Sequence, residues 1–256
     1  MKRSKALSSI PEDQAKKLVD DWRNCSPGEL SNLFYNVTTA TGPIERIDAY
    51  AVQQDTIVKL RNLKQGLIDR IRIYMGCEGG EFSPIFTIVL KDGNEPKYDY
   101  YKLAPILNTA HTKAFPNISS GISDLFQRKW RELSNEELST AFTGLTCSKM
   151  VENDESSPEY IGHFRDQRVR YYDFLVEDAQ KIVEKLKGLS VPKVEVLLGA
   201  GLTVQITHPF NFRPIIAVSS AVGGTSKVDG DDDEESFERS QPCPPFCHNG
   251  IGSNCE

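Results

Sequence analysis

The residues best equipped for chemistry crowd the C-terminal end, where Cys243, Cys247, His248 and Cys255 stand close together in sequence. Three thiolates and a neutral imidazole are ligands that zinc prefers, and together they would close a tetrahedral shell. The spacing strains that reading. Cys243 and Cys247 enclose Pro244, Pro245 and Phe246, and the two prolines stiffen the turn that must carry both sulfurs to one ion. Cys247 and His248 are neighbours and would have to swing toward the same metal. A disulfide between Cys243 and Cys247 is a second reading, opposed by a reducing compartment. A third is a recognition tag on a disordered terminus. The spacing is not the Cys-x-x-Cys of thioredoxin-like redox sites, and no helix start follows to depress a thiol pKa.

The remaining constellations are thinner. His111, His163, His208 and His248 are far apart in sequence, and each lone imidazole reads as a surface or half-buried polar group. No paired-histidine zinc motif, nucleophile elbow or phosphate loop occurs. Asp229, Asp231 and Asp233 suggest calcium, but an EF-hand needs glycine at loop position six and a bidentate acid at position twelve. Glu234 and Ser240 fall there instead. Between His163 and Tyr172, Arg165, Arg168 and Arg170 alternate with aromatics in a way that could grip phosphate and stack on bases. The charge balance opposes that use: the chain is −6 overall, with a pI near 5.4. Its field repels nucleic acid and anionic membranes, so pairing of Arg165 with nearby carboxylates is the favoured reading.

The elements that must position these residues read as α+β. The chain has 256 residues, 39% hydrophobic and 26% charged, enough for one large domain or two small ones. Ala15, Leu18, Val19 and Trp22 form one helix face after Pro11, Glu12 and Asp13, with Pro27-Gly28 as its stop. A second helix spans Gln53 to Leu63. Ile71 to Met75 alternates apolar and polar positions and Ile85 to Leu90 is a second β-rich run, the two forming an antiparallel pair around the glycine loop at Gly79-Gly80 that puts Ile71 and Ile73 on one core face. Lys102 to Met150 reads as helices and loops, with Ile122, Leu125, Phe126 and Trp130 on one face and Ser134 with Glu137 as a capping box. A long helix is expected from Tyr171 to Leu186. Strands follow at Val194 to Leu198, Val204 to Ile206 and Ile215 to Val218, with Ile215 turned toward the core.

Two stretches read alike. The helix at Ala15 matches the one at Ala179, the strand at Ile71 matches that at Val194, and Pro84-Ile85 matches Pro214-Ile215. Two similar halves built of helices on antiparallel hairpins would follow, with the hairpins joined in one sheet because a lone hairpin is marginal. The expected division is 1–151, an α+β N-terminal region; 159–224, a C-terminal region repeating it; and 225–256, an acidic linker with a cysteine-bearing tail. The polar break at 152–158 separates the first two, and the acidic run 229–235 should decouple 241–256 from the core.

The strand Ile71-Arg-Ile-Tyr-Met-Gly, the following Phe86-Thr-Ile-Val-Leu with its Asp92-Gly93 turn, and the terminal Cys243-Pro-Pro-Phe-Cys247 resemble small uncharacterised proteins of Bacteroidota-type bacteria. Those proteins open on an acidic-capped helix, and many end in Cys-Pro-Pro-x-Cys. The resemblance covers roughly 10–93 and 241–247 and implies no activity. No run reaches the ~18–20 apolar residues a membrane helix needs. The N-terminus has acids and a proline where a signal core would lie, so the cytoplasm is expected. The functional expectation is a non-catalytic binding or interaction protein with a protein partner. The alternative is a thiol- or zinc-dependent enzyme using Cys243, Cys247, His248 and Cys255.

Overall fold

The computed structural model describes residues 9–36, 45–64, 66–93, 95–106, 121–146, 165–202, 210–220, 235–237 and 240–243. In chain order these form β1 (Ser9–Ile10), α1 (Glu12–Asn24), α2 (Pro27–Leu33), β2 (Tyr35–Asn36), β3 (Glu45–Arg46), β4 (Ala49–Ala51), α3 (Gln54–Arg61), β5 (Ile68–Tyr74), β6 (Cys77–Glu78) and β7 (Glu81–Phe82). Then come β8 (Ile85–Asp92), β9 (Glu95–Lys102), β10 (Ala104–Pro105), α4 (Gly121–Glu132), α5 (Asn135–Ala141), β11 (Thr143–Thr146), β12 (Arg165–Arg168) and β13 (Tyr171–Phe174). The last are α6 (Val176–Gly188), β14 (Pro192–Leu202), β15 (Phe210–Ser220), β16 (Glu235–Phe237) and β17 (Ser240–Cys243). The fold is α+β, as the sequence predicts.

Local chemistry accounts for the helices. Glu12 and Asp13 meet the positive end of α1, and Ala15, Leu18, Val19 and Trp22 are all buried along its one apolar face. Pro27 does not stop that helix in open chain. It opens α2 at the first helical position, behind Ser26, whose hydroxyl accepts from the Glu29 amide while Glu29 answers to the Ser26 amide. The box at Ser134 and Glu137 opens α5 in the same way.

Two sheets carry the body. One has the order β1-β9-β8-β5-β13-β17 and the other β10-β4-β14-β15-β16, and every pairing is antiparallel. Inner residues of both, among them Ile71, Ile73, Val196, Val218 and Phe212, share one core with α3, α6, Trp22 and Trp130. Each sheet also has an outer apolar cluster. That of the first contains Ala15, Leu18 and Val19 of α1, and that of the second is packed by Phe126 of α4.

Several expectations need correction. The two hairpins do not join: β5–β8 centres one sheet and β14–β15 the other. Tyr171–Phe174 is a strand, with the helix beginning only at Val176: its backbone pairs with a strand on each side, and all four residues are buried. The stretch after Gly93, for which the sequence pattern gives no element, forms a strand, β9, running to Lys102. Ile71 and Ile73 do face the shared core, whereas Ile215 is buried on the opposite, outer side and Ile216 points inward. Leu125 is about half exposed, and Ser123, Gln127 and Trp130 form the buried face of α4. The segment after residue 224 supplies β16, on β15, and β17, on β13. The break at 152–158 and the strand expected at Val204–Ile206 lie outside the described residues. Among the described residues no helix is long and apolar enough to cross a membrane.

Candidate functional site

The outer face of the six-stranded sheet holds a buried set of polar and ionisable side chains. Strand register builds it. Tyr100, Thr87, Arg72, Asp173 and Gln241 occupy one row across β9, β8, β5, β13 and β17. The next row is Lys102, Ile85, Tyr74, Tyr171 and Cys243. Side chains alternate along a strand, so Arg72 and Tyr74 lie on the face opposite Ile71 and Ile73.

Arg72 is fully buried. Its Nε donates to Asp173 Oδ1 at 2.6 Å and its Nη2 to Asp173 Oδ2 at 2.8 Å, a two-pronged pairing that matches the planar guanidinium to the carboxylate. Nη1 donates to the Tyr74 hydroxyl at 3.1 Å, and the guanidinium carbon sits 3.7 Å from the centre of the Tyr171 ring. Arg70 adds a donor to Asp173 Oδ2 at 3.3 Å and pairs with Asp69 at 2.6 Å, so two arginines meet two aspartates. Burial opposes the charge on Arg72, yet the Asp173 hydrogen bonds and the tyrosine oxygens outweigh it and hold the guanidinium more firmly protonated than usual. Burial pushes Tyr74 up to about 12 despite the nearby arginine, so its phenol stays protonated and able to bond. The Thr87 hydroxyl, next to Arg72 in the row, is buried and has no hydrogen-bond partner among the described residues.

This network is saturated rather than poised. Its cation and anion are committed to each other, and both are shut from solvent. It locks β5 to β13. Rings lead from it toward the surface: Tyr98 lies 6.0 Å from the Arg72 guanidinium and stacks on Tyr100 with centroids 6.2 Å apart. Tyr98 then lines an open cleft of about 680 Å³ with Glu12, Asp92, Glu95, Pro96 and Lys97. Three carboxylates against one ammonium bias that cleft toward cationic groups.

Of the residues expected to do chemistry, Cys243 ends β17 at the edge of this sheet, in register with Tyr171. Cys247, His248 and Cys255 lie outside the described residues, as do His111, His163 and His208. Among the described residues no group of three His, Cys, Asp or Glu side chains is arranged to hold a metal. Arg168 proves to be a structural clamp: it donates to the carbonyls of Trp22 and Cys25 and lies 5.5 Å from the Trp22 ring centre. Arg72 and Asp173 were missed by sequence reasoning. The available signal was one cation and one anion set singly in runs that are otherwise apolar and aromatic, since a charge in a central strand needs a partner. Compared with known protein families, curated proteins and solved structures, the chain finds no match.

Proposed function

We propose that the chain is a non-catalytic binding protein that meets a protein partner at the β17 edge of the six-stranded sheet, where Cys243-Pro244-Pro245-Phe246-Cys247 begins. The observation that carries this reading is the pairing of Cys243 with Tyr171, which fixes the start of the motif on the body. An edge strand offers unpaired backbone groups to a partner, and the two prolines after Cys243 limit the conformations that binding must freeze out. The internally satisfied Arg72–Asp173 network supports a scaffolding part for the sheet beneath.

The second reading is a zinc site made of Cys243, Cys247, His248 and Cys255, and one set of variants separates the two. Full-length protein, Cys243→Ser, Cys247→Ser and the double variant are compared for zinc content and for retention of a cross-linked partner. The binding reading expects metal-free protein in which either single change removes most of the partner. Near-stoichiometric zinc, lost on either single change, would replace that reading with the second. Partner retention unchanged in all three variants would discard the motif as a contact.

A further inference from the structure

The two sheets repeat one strand order. Reading β9-β8-β5-β13-β17 in the first matches β16-β15-β14-β4-β10 in the second, position for position. The chain also visits these places in one sequence, β4-α3-β5-β8-β9-β10 and then β13-α6-β14-β15-β16-β17. In each series the first and last strands lie in the other's sheet. Upstream, α1-α2-β2-β3 corresponds to α4-α5-β11-β12. Even the register repeats, with Tyr74 opposite Tyr171 where Leu197 stands opposite Ala49.

Generic helix-and-hairpin patterning could produce similar element orders. It would not reproduce individual bonds. Trp22 Nε1 donates to the Val169 carbonyl at 2.9 Å, and Trp130 Nε1 to that of Ile47 at 3.1 Å. Arg168 grips the carbonyls of Trp22 and Cys25, and Arg46 those of Trp130 and Leu133. The Val169 amide bonds to the Phe142 carbonyl and the Ile47 amide to that of Phe34, both at 2.7 Å. The core rings match as well. Trp22–Phe82 and Trp130–Phe212 are 5.5 and 5.6 Å apart, and Trp22–Phe142 and Phe34–Trp130 are 5.0 and 5.1 Å apart. A Cβ on Gly76 would strike Ser83 O and Leu18 Cβ, and one on Gly199 would strike Arg213 O and Phe126 Cβ. The sequence agrees at these places: segments 22–34 and 130–142 align without a gap and share Trp, Arg, Ser, Glu, Leu, Ser and Phe at corresponding positions.

We infer that the chain is a covalently joined pseudo-dimer, with residues 9–106 and 121–243 as equivalent units exchanging strands about a two-fold axis through the Phe34–Phe142 stack. Those two rings are parallel to within 1°, with centroids 5.2 Å apart. The helix equivalences are therefore α1 with α4 and α3 with α6. The partner that each half's buried surface fits is a copy of the same unit. This inference stands independently of the proposed binding role.

The symmetry makes a specific demand. The path from Cys243 to Glu12 must be equivalent to the path from Ile106 to Gly121, which segment 107–120 spans. The test is a circular permutant that starts at residue 121, runs to Cys243, continues through a flexible linker as long as 107–120 to Glu12, and ends at Ile106. It should keep the near-ultraviolet CD spectrum and monomeric size of the parent and melt within about 10 °C of it. A permutant that stays unfolded with both this linker and one of twice its length would overturn the equivalence. As a second measurement, full-length protein is cut at a protease site placed within 107–120. The two fragments should co-elute at the parent's size, and their separation under native conditions would likewise overturn the inference.

Discussion

Asp173→Asn is the most informative single change, because it removes one charge from a pair with almost no access to water. Arg72 is fully buried and the Asp173 side chain is 2% exposed, so solvent cannot take over when one partner is lost. Breaking such a pair leaves an uncompensated buried charge and costs about 3–5 kcal/mol. Arg72→Met should cost less, near the bottom of that range, because Arg70 still reaches Asp173 Oδ2 at 3.3 Å. The double variant should recover much of the loss. It leaves neither charge stranded, Arg70 retains Asp69, and methionine can fill the channel beside Tyr171. A net cost of about 1–2 kcal/mol is expected against about 6–8 kcal/mol for the two singles added, which gives a coupling energy of roughly 5 kcal/mol for residues in direct contact. Urea unfolding followed by tryptophan fluorescence is a suitable assay, since Trp22 and Trp130 are both fully buried and change environment on unfolding. Moderate salt should leave the coupling intact, because screening acts mainly on exposed charges. A loss below about 1 kcal/mol for Asp173→Asn would refute the reasoning, as would strictly additive singles.

Ile73→Ala should cost about 2–4 kcal/mol in the same assay, and wild-type stability would mean that this side of β5 does not carry the shared core. Gly76→Ala and Gly199→Ala should both destabilise by about 1–3 kcal/mol, Gly76 the more so, because its Cβ would fall 2.3 Å from a backbone oxygen and that of Gly199 2.8 Å. Ser26→Ala and Ser134→Ala should each cost about 1 kcal/mol at pH 7. Hydrogen bonds from the Ser26 hydroxyl and amide, and from the Ser134 amide and hydroxyl, hold Glu29 and Glu137 below their ordinary value of 4.5. Their contribution is therefore complete above 4.5 and fades as pH falls through the lower folded values, so the serine penalties should shrink by pH 3; penalties that grow there would contradict this sign. Truncation after Gly224 removes β16 and β17 and should lower the melting temperature by about 5–10 °C, and an unchanged value would mean that these strands add nothing to the body.

Elements with strong local instructions were legible. Period 3.6 in α1, period two in β5 and the Ser134–Glu137 box each point to one structure, and each is present. What escaped were elements defined by distant neighbours. Tyr171–Phe174 carries no helix-breaking residue and continues smoothly into a helical pattern. Only pairing on both sides, with β5 and β17, makes it a strand. Glu95–Lys102 looks polar because β9 lies near the sheet edge and its first three residues, Glu95 to Lys97, are exposed, while only Tyr100 and Tyr101 are buried. Arg72 was hidden for the same reason. Its partner Asp173 lies more than a hundred residues away, and no spacing rule connects the two. The apparent match between the helices at Ala15 and Ala179 arose because any amphipathic helix resembles another. The telling identities were in the short capped corners around Ser26 and Ser134.

The two halves differ most where packing does not dictate the residue. In the shared core, Trp22 and Trp130, Phe34 and Phe142, Tyr50 and Tyr172, and Phe82 and Phe212 stand in equivalent places, and ring geometry holds both members of each pair to one size. On the outer faces the identities diverge. Arg72, Tyr74, Asp173 and Tyr171 of the six-stranded sheet stand where the other sheet has Glu195, Leu197, Ala51 and Ala49. That version, in which the buried Glu195 pairs with Lys193 of its own strand at 2.8 Å, shows that this face can be closed without an ion pair across the strands. Replacing such a pair by well-packed apolar side chains is often neutral or stabilising, so stability alone gives little reason for the cross-strand pair of Arg72 and Asp173. The charged version also brings two things its counterpart lacks, a tyrosine path to the acidic cleft at Glu12 and the β17 edge that ends in Cys243. The asymmetry therefore directs attention to one outer face of a nearly symmetric body. Replacing Arg72 and Asp173 together by apolar side chains of similar volume should spare folding while altering whatever the β17 edge contacts.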